Sequence, residues 1–98
     1  MYIKAVRLEI NIPSSSSLKD KRSFLQRVRT QVHKRLNVSI AETNLQDHHH
    51  LAELTYVYVH NDQRTPDRLR QIILEIIEAK AEAEVTNIET VDLELFER

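Results

Sequence analysis

Ser17-Leu18-Lys19-Asp20-Lys21-Arg22 puts a hydroxyl and three cations at the start of a helical stretch that also carries Arg27, Arg29, Lys34 and Arg35. These residue types bind phosphate. A helix start offers unpaired N–H groups and the positive end of the dipole. The hydroxyls of Ser14, Ser15, Ser16 and Ser17 and the cations of Lys19, Lys21 and Arg22 add to it. Each cation at that end costs the helix roughly 0.3–1 kcal/mol, so the cluster asks for a reason other than helix stability.

Other constellations carry less. His48-His49-His50 beside Asp47 has metal-ligating atoms, but adjacent histidines in one turn rarely converge on a single ion. A solvated loop is the better reading, and neither a metal nor a cofactor is expected. A serine nucleophile needs a base held by a third group, and no such arrangement is visible in the spacing, so no catalytic residue is assigned. Tyr56 and Tyr58 invite comparison with sheets that stack RNA bases. They share a register with Ala52 and Leu54, which places them under helices instead.

The 98 residues fit one domain, spanning 1–98, with 41% hydrophobic and 30% charged residues, the composition of an ordinary globular protein. No cysteine is present, which excludes disulfides, zinc thiolates and thiol catalysis and suits a cytoplasmic setting. No glycine is present either. Phosphate-cradling loops and dinucleotide turns need glycine for positive φ and close backbone approach, so conventional nucleotide enzymes are excluded. The charged, alternating N-terminus does not resemble a signal peptide. No apolar run approaches the ~20 residues of a membrane helix, so no membrane partner is expected.

The net charge of -1 hides a segregation. Up to Asn37, Lys4, Arg7, Lys19, Lys21, Arg22, Arg27, Arg29, Lys34 and Arg35 face only Glu9 and Asp20. From Glu75 onward, Glu75, Glu78, Glu82, Glu84, Glu89, Asp92, Glu94 and Glu97 face Lys80 and Arg98. Such asymmetry points to nucleic-acid contact. The competing reading is mutual neutralisation within the fold, with Glu75, Glu78 and Glu82 against the basic helix.

Six elements position these groups. Residues 2–12 alternate, with Val6, Leu8, Ile10 and Ile12 on one face, as a half-buried strand. Pro13 and the four serines break it, and Ser17 with Asp20 makes a weak capping box. From Leu18 to Leu36 the residues Leu18, Leu25, Val28, Val32 and Leu36, flanked by Phe24, form one helical stripe. Lys19, Arg22, Arg27, Arg29 and Lys34 fall opposite it, with Ser23, Gln26, Thr30 and His33. Lys21 and Arg35 lie at the apolar edge, where long stems snorkel. None of the exposed cations has an acidic residue three or four positions away in the helix, so intrahelical pairing does not explain them.

Residues 37–43 form a second strand and Leu51–His60 a third, joined by the polar turn 44–50. After a loop at 61–64, Thr65 as N-cap, Pro66 at N1 and Asp67 start a second helix. It buries Leu69, Ile72, Ile73, Ile76 and Ile77 and ends near Ala83. A last strand alternates Val91, Leu93 and Leu95, facing inward, with Asp92 and Glu94. The order β-α-β-β-α-β predicts an α+β, ferredoxin-like sandwich: a four-stranded antiparallel sheet with two helices on one face. That fold hosts many functions and selects none.

Ser17 to Arg22 after a strand, then Asn37-Val38-Ser39-Ile40-Ala41-Glu42, then a strand ending at Asn61-Asp62, resembles the YlxP-like family of small bacterial proteins. The resemblance covers essentially the whole chain. It implies the same ferredoxin-like fold and a translation-associated setting, and it supplies no catalytic or binding residues to transfer. The chain departs from the family in its glycine-free first loop and in its His48–His50 turn.

The residues favour a non-enzymatic cytoplasmic protein that contacts RNA or a ribosomal precursor. Lys19, Arg22, Arg27, Arg29 and Lys34 would engage phosphates, with Lys21 and Ser14 to Ser17 extending the patch. One alternative is a homodimer through the open sheet face, with Ala41, Thr55, Val57 and Val59. The other is a small acylphosphatase-like hydrolase, which the missing glycine-rich arginine loop argues against.

Overall fold

Apolar alternation turns residues 2–11 into β1 (Tyr2–Asn11), and Pro13 ends it because it has no N–H for a ladder. In the computed structural model, which describes residues 1–96, five further elements follow: α1 (Leu18–Arg35), β2 (Ser39–Asn44), β3 (Leu51–His60), α2 (Thr65–Glu78) and β4 (Glu84–Glu94). Glu97 and Arg98, counted above in the charge asymmetry, lie outside the described residues. The strands form one antiparallel sheet in the order β2-β3-β1-β4. This is the ferredoxin-like arrangement that the order of elements predicts.

Ser17 caps α1 as expected, its hydroxyl accepting from the Asp20 N–H at 3.1 Å. Phe24, Leu25, Val28 and Val32 bury the helix against the sheet, each contributing roughly 1.5–3 kcal/mol by leaving water. α2 differs from expectation at both ends. Arg64, in helical geometry, precedes its first residue without a side-chain cap, so Thr65 is already inside the helix. Its last residue is Glu78, because the chain turns at Ala81 with φ 55°. Ile73 and Ile77 are its buried residues, closing a core with Val6, Leu8, Ile10, Ala52, Leu54 and Tyr56. No described helix is long and apolar enough to cross a membrane.

β4 corrects one assignment. Ile10 pairs with Val85, but Leu8 pairs with Ile88, so β4 spends one extra residue in a bulge. That residue reverses the alternation beyond it. Val91 and Leu93 therefore stand beside Ala5 and Ile3 on the open face, 59% and 54% exposed, rather than under the helices. Asp92 takes the helix side, where it meets Lys4 at 3.3 Å.

Candidate nucleic-acid interface

The 3.6-residue period of α1 leaves a ridge at spacings of three and four: Lys19, Arg22, Gln26, Arg29 and His33, with Lys34 alongside. Arg29 is half-buried and the others are exposed. Among the described residues Lys19, Arg22, Arg29 and Lys34 make no ion pair. Lys4, Arg7, Lys21, Arg27 and Arg70 lie against carboxylates, while Arg35, Arg64, Arg68 and Lys80 share the lack of an ion pair among the described residues, so what sets the ridge apart is its alignment along one helix. The ridge spans about 21 Å at 1.5 Å per residue. Its cations stand at positions 19, 22 and 29, interrupted by the uncharged Gln26, with Lys34 to one side.

Two of the cations expected on the basic face do not belong to that line. Arg27 donates to Glu82 at 2.9 Å and lies over the Phe24 ring. This hydrogen bond holds the Glu82 carboxyl below its ordinary range. Neutralisation by the acidic C-terminal half is thus real but local. Glu78 instead accepts from the Val85 N–H, and Glu75 accepts from Gln71.

Lys21 is corrected outright as a surface cation. Its side chain is 1% exposed, and Nζ donates to the carbonyls of Leu45, His48 and Leu51 at 2.6, 2.7 and 2.9 Å. All three of its protons are committed. The Glu42 carboxylate at 2.9 Å therefore forms an ion pair rather than a fourth hydrogen bond. Lys21 ties α1 to the turn between β2 and β3. Its sequence position carried the signal, because 18, 21, 25, 28 and 32 are successive positions of one buried stripe.

The serines do not converge on a vacant anion position. The Asp20 carboxylate accepts from both the N–H and the hydroxyl of Ser16, at 3.2 and 3.0 Å. These bonds, the backbone one foremost, pull the Asp20 carboxyl below its usual value. Ser15 is buried and donates to the Ser17 carbonyl, while Ser14 is exposed. A resident carboxylate takes the donors that a phosphate would use. His49 reaches the Ser15 carbonyl through Nδ1 at 3.2 Å, and the rings of His48, His49 and His50 lie against one another. Among the described residues, no three side chains of metal-ligating type are grouped to hold an ion.

Tyr56 and Tyr58 are buried under the helices, as their register with Ala52 and Leu54 required. Their rings stack, with centroids 6.0 Å apart. Burial pushes the Tyr56 phenol up, and burial with the charges of Asp92 and Asp67 raises Tyr58 to about 12. The open face of the sheet thus carries no tyrosine for stacking. It is divided along the strands. One half holds Ile3, Ala5, Val57, Val59, Val91 and Leu93; the other centres on Arg7, which lies 2.7 Å from Glu89 and 3.7 Å from Glu53.

Residues 3–90 match the model of a family described as protein of unknown function, DUF503. No curated protein matches. Among solved structures, the chain is similar to a de novo designed protein with a ferredoxin fold, determined by solution NMR. The TM-score is 0.61 and the identity 18%, covering 100% of this chain and 91% of that one. A dimeric ferredoxin-like protein from an uncultured marine organism is also similar, at a TM-score of 0.46 and 9% identity, with both chains covered completely. At such identities the likeness is one of fold, and it rests on the designed protein. The family match spans all six elements of that fold except the end of β4, and the chain belongs to the DUF503 family.

Proposed function

We propose that this protein binds structured RNA, such as a ribosomal precursor, through the ridge Lys19, Arg22, Arg29 and Lys34 of α1, and that it is a cytoplasmic, non-enzymatic factor. One observation carries the reading: a line of cations along one helix, Lys19, Arg22 and Lys34 exposed and Arg29 half-buried, that make no ion pair among the described residues, while Arg27 of the same helix is neutralised by Glu82. Such a line meets phosphates and releases counterions without reading bases. The burial of Tyr56 and Tyr58 favours this over base stacking on the sheet. The resemblance to YlxP-like proteins adds a translation-associated setting. Serine-loop chemistry finds no support, since Asp20 holds the donors there.

The test is a titration of a hairpin RNA at several salt concentrations. Lys19→Glu, Arg22→Glu and Lys34→Glu together should weaken binding at least tenfold and reduce the log–log salt slope by ~0.7–0.9 for each phosphate no longer engaged. An unchanged slope sinks the reading.

A second reading, a homodimer through the open sheet face, is favoured by the apolar half around Val57, Val59, Val91 and Leu93. It uses the opposite layer and is compatible with the first. Sedimentation showing only monomer at micromolar concentration would overturn it.

A further inference from the structure

β4 is an edge strand with β1 as its one neighbour, and from Thr86 to Glu94 every residue is exposed. The Leu95 N–H donates to the Met1 carbonyl at 2.9 Å, and Leu93, Val91 and Glu89 lie opposite Ile3, Ala5 and Arg7. Backbone polarity alternates along an antiparallel strand. Ile88, Thr90, Asp92 and Glu94 therefore direct their N–H and C=O groups away from the sheet. Natural edges are guarded by charged side chains, lysine above all, by proline, a bulge, inward-pointing charges or a covering element. Here the bulge and the Glu78 carboxylate, which accepts from the Val85 N–H, guard only the start of the strand. Between Ile88 and Glu94 there is no lysine and no proline, and the guards are the carboxylates of Glu89, Asp92 and Glu94, which repel an acidic strand and attract a basic one.

The edge also has a definite chemical preference. Its charges are Glu84, Glu89, Asp92 and Glu94, with no base in the strand. Lys4 and Arg7 engage Asp92 and Glu89, while Glu84 and Glu94 have no ion-pair partner among the described residues. A fifth strand laid on this edge meets Val91 and Leu93 on one face and Thr90, Asp92 and Glu94 on the other. Complementing both faces requires apolar residues alternating with basic ones. A second copy of β4 would instead bring four more carboxylates and no base, and like charges across strands are destabilising.

We propose that β4 is a docking edge for an extended segment of another protein that alternates apolar and basic residues, added as a fifth strand through main-chain hydrogen bonds. The proposal uses a different surface from the α1 ridge and stands independently of the RNA reading.

The probe is a fluorescein-labelled nine-residue peptide of alternating valine and lysine, followed by anisotropy. It should bind, and the matching valine–glutamate peptide should not. N-methylation of either the valine or the lysine backbone nitrogens separates main-chain pairing from charge attraction, because only one set of N–H groups faces β4. One of the two methylated peptides, and not the other, should lose binding by at least tenfold. If both bind equally or neither binds, the proposal is overturned. Thr90→Pro deletes an outward N–H while sparing the ladder with β1, and it should weaken the unmodified peptide at least tenfold. If that variant fails to fold, the two methylated peptides on the unaltered protein still decide between the outcomes. A dimer in sedimentation that Thr90→Pro dissolves would make a second copy the occupant and overturn the proposal as well.

Discussion

Lys21 on α1 and Glu42 on β2 meet at 2.9 Å, with the ammonium 1% exposed and three carbonyls of the adjoining turn around it. Removing one partner of a buried pair leaves the other uncompensated, at a cost of roughly 3–5 kcal/mol. Lys21→Met should lower the urea midpoint accordingly. Glu42→Leu added to it should recover part of the loss. RNA affinity per folded molecule should be unchanged, which distinguishes a structural lysine from a binding one.

Asp20 should titrate below the ordinary carboxylate range, because Ser16 stabilises its ionised form through backbone and hydroxyl bonds. The depressed folded-state value means that its contribution to stability is present above the unfolded carboxyl pKa of ~3.9. It is lost as pH falls through the folded value. Ser16→Ala removes the hydroxyl bond alone and should raise the Asp20 midpoint part of the way, as followed by carboxyl NMR.

At the alkaline end, Tyr56 and Tyr58 keep their protons in the folded chain where the unfolded chain, titrating near ~10, loses them. The stabilisation is complete below about pH 10 and is lost as pH rises toward the Tyr58 value of about 12. Base unfolding should therefore coincide with phenolate absorbance. Neither hydroxyl has a hydrogen-bond partner among the described residues. Tyr56→Phe should thus change stability at neutral pH by less than ~1 kcal/mol, or raise it, and should flatten the alkaline decline.

Ala81 holds φ 55° at the exit of α2, a left-handed geometry that costs a non-glycine residue roughly 1–2 kcal/mol. It is exposed, so its methyl group packs against little. Ala81→Gly should raise stability by roughly 1 kcal/mol, read from the urea midpoint, in a chain that otherwise has no glycine.

The order of elements was legible because alternation in β1 and β3 and the stripes of α1 and α2 are strong periodic signals. The facing of Val91 and Leu93 was not. A bulge is a property of pairing with β1, and nothing local to β4 announces the residue that reverses the alternation. At the candidate interface, Lys19, Arg22 and Lys34 stood where helical phase put them, with Arg29 half-buried. Lys21 was obscured because residue type says charge while phase says core. The three carbonyls that resolve the conflict come from residues 24 to 30 positions away. Arg27 was similarly hidden, since Glu82 reaches it only through tertiary structure.

The clamp at Lys21 grips carbonyl oxygens, a feature every amino acid possesses, and so it is indifferent to which side chains the turn displays. Side chains at the exposed residues 46–50 can be exchanged without removing any of the three carbonyls, at the loss of the His49 bond to the Ser15 carbonyl, whereas adding or deleting one residue would shift the carbonyls out of reach. This turn is thus fixed in length and, His49 apart, open in side-chain content. It is a position from which the molecule could gain a new specificity without risking its architecture.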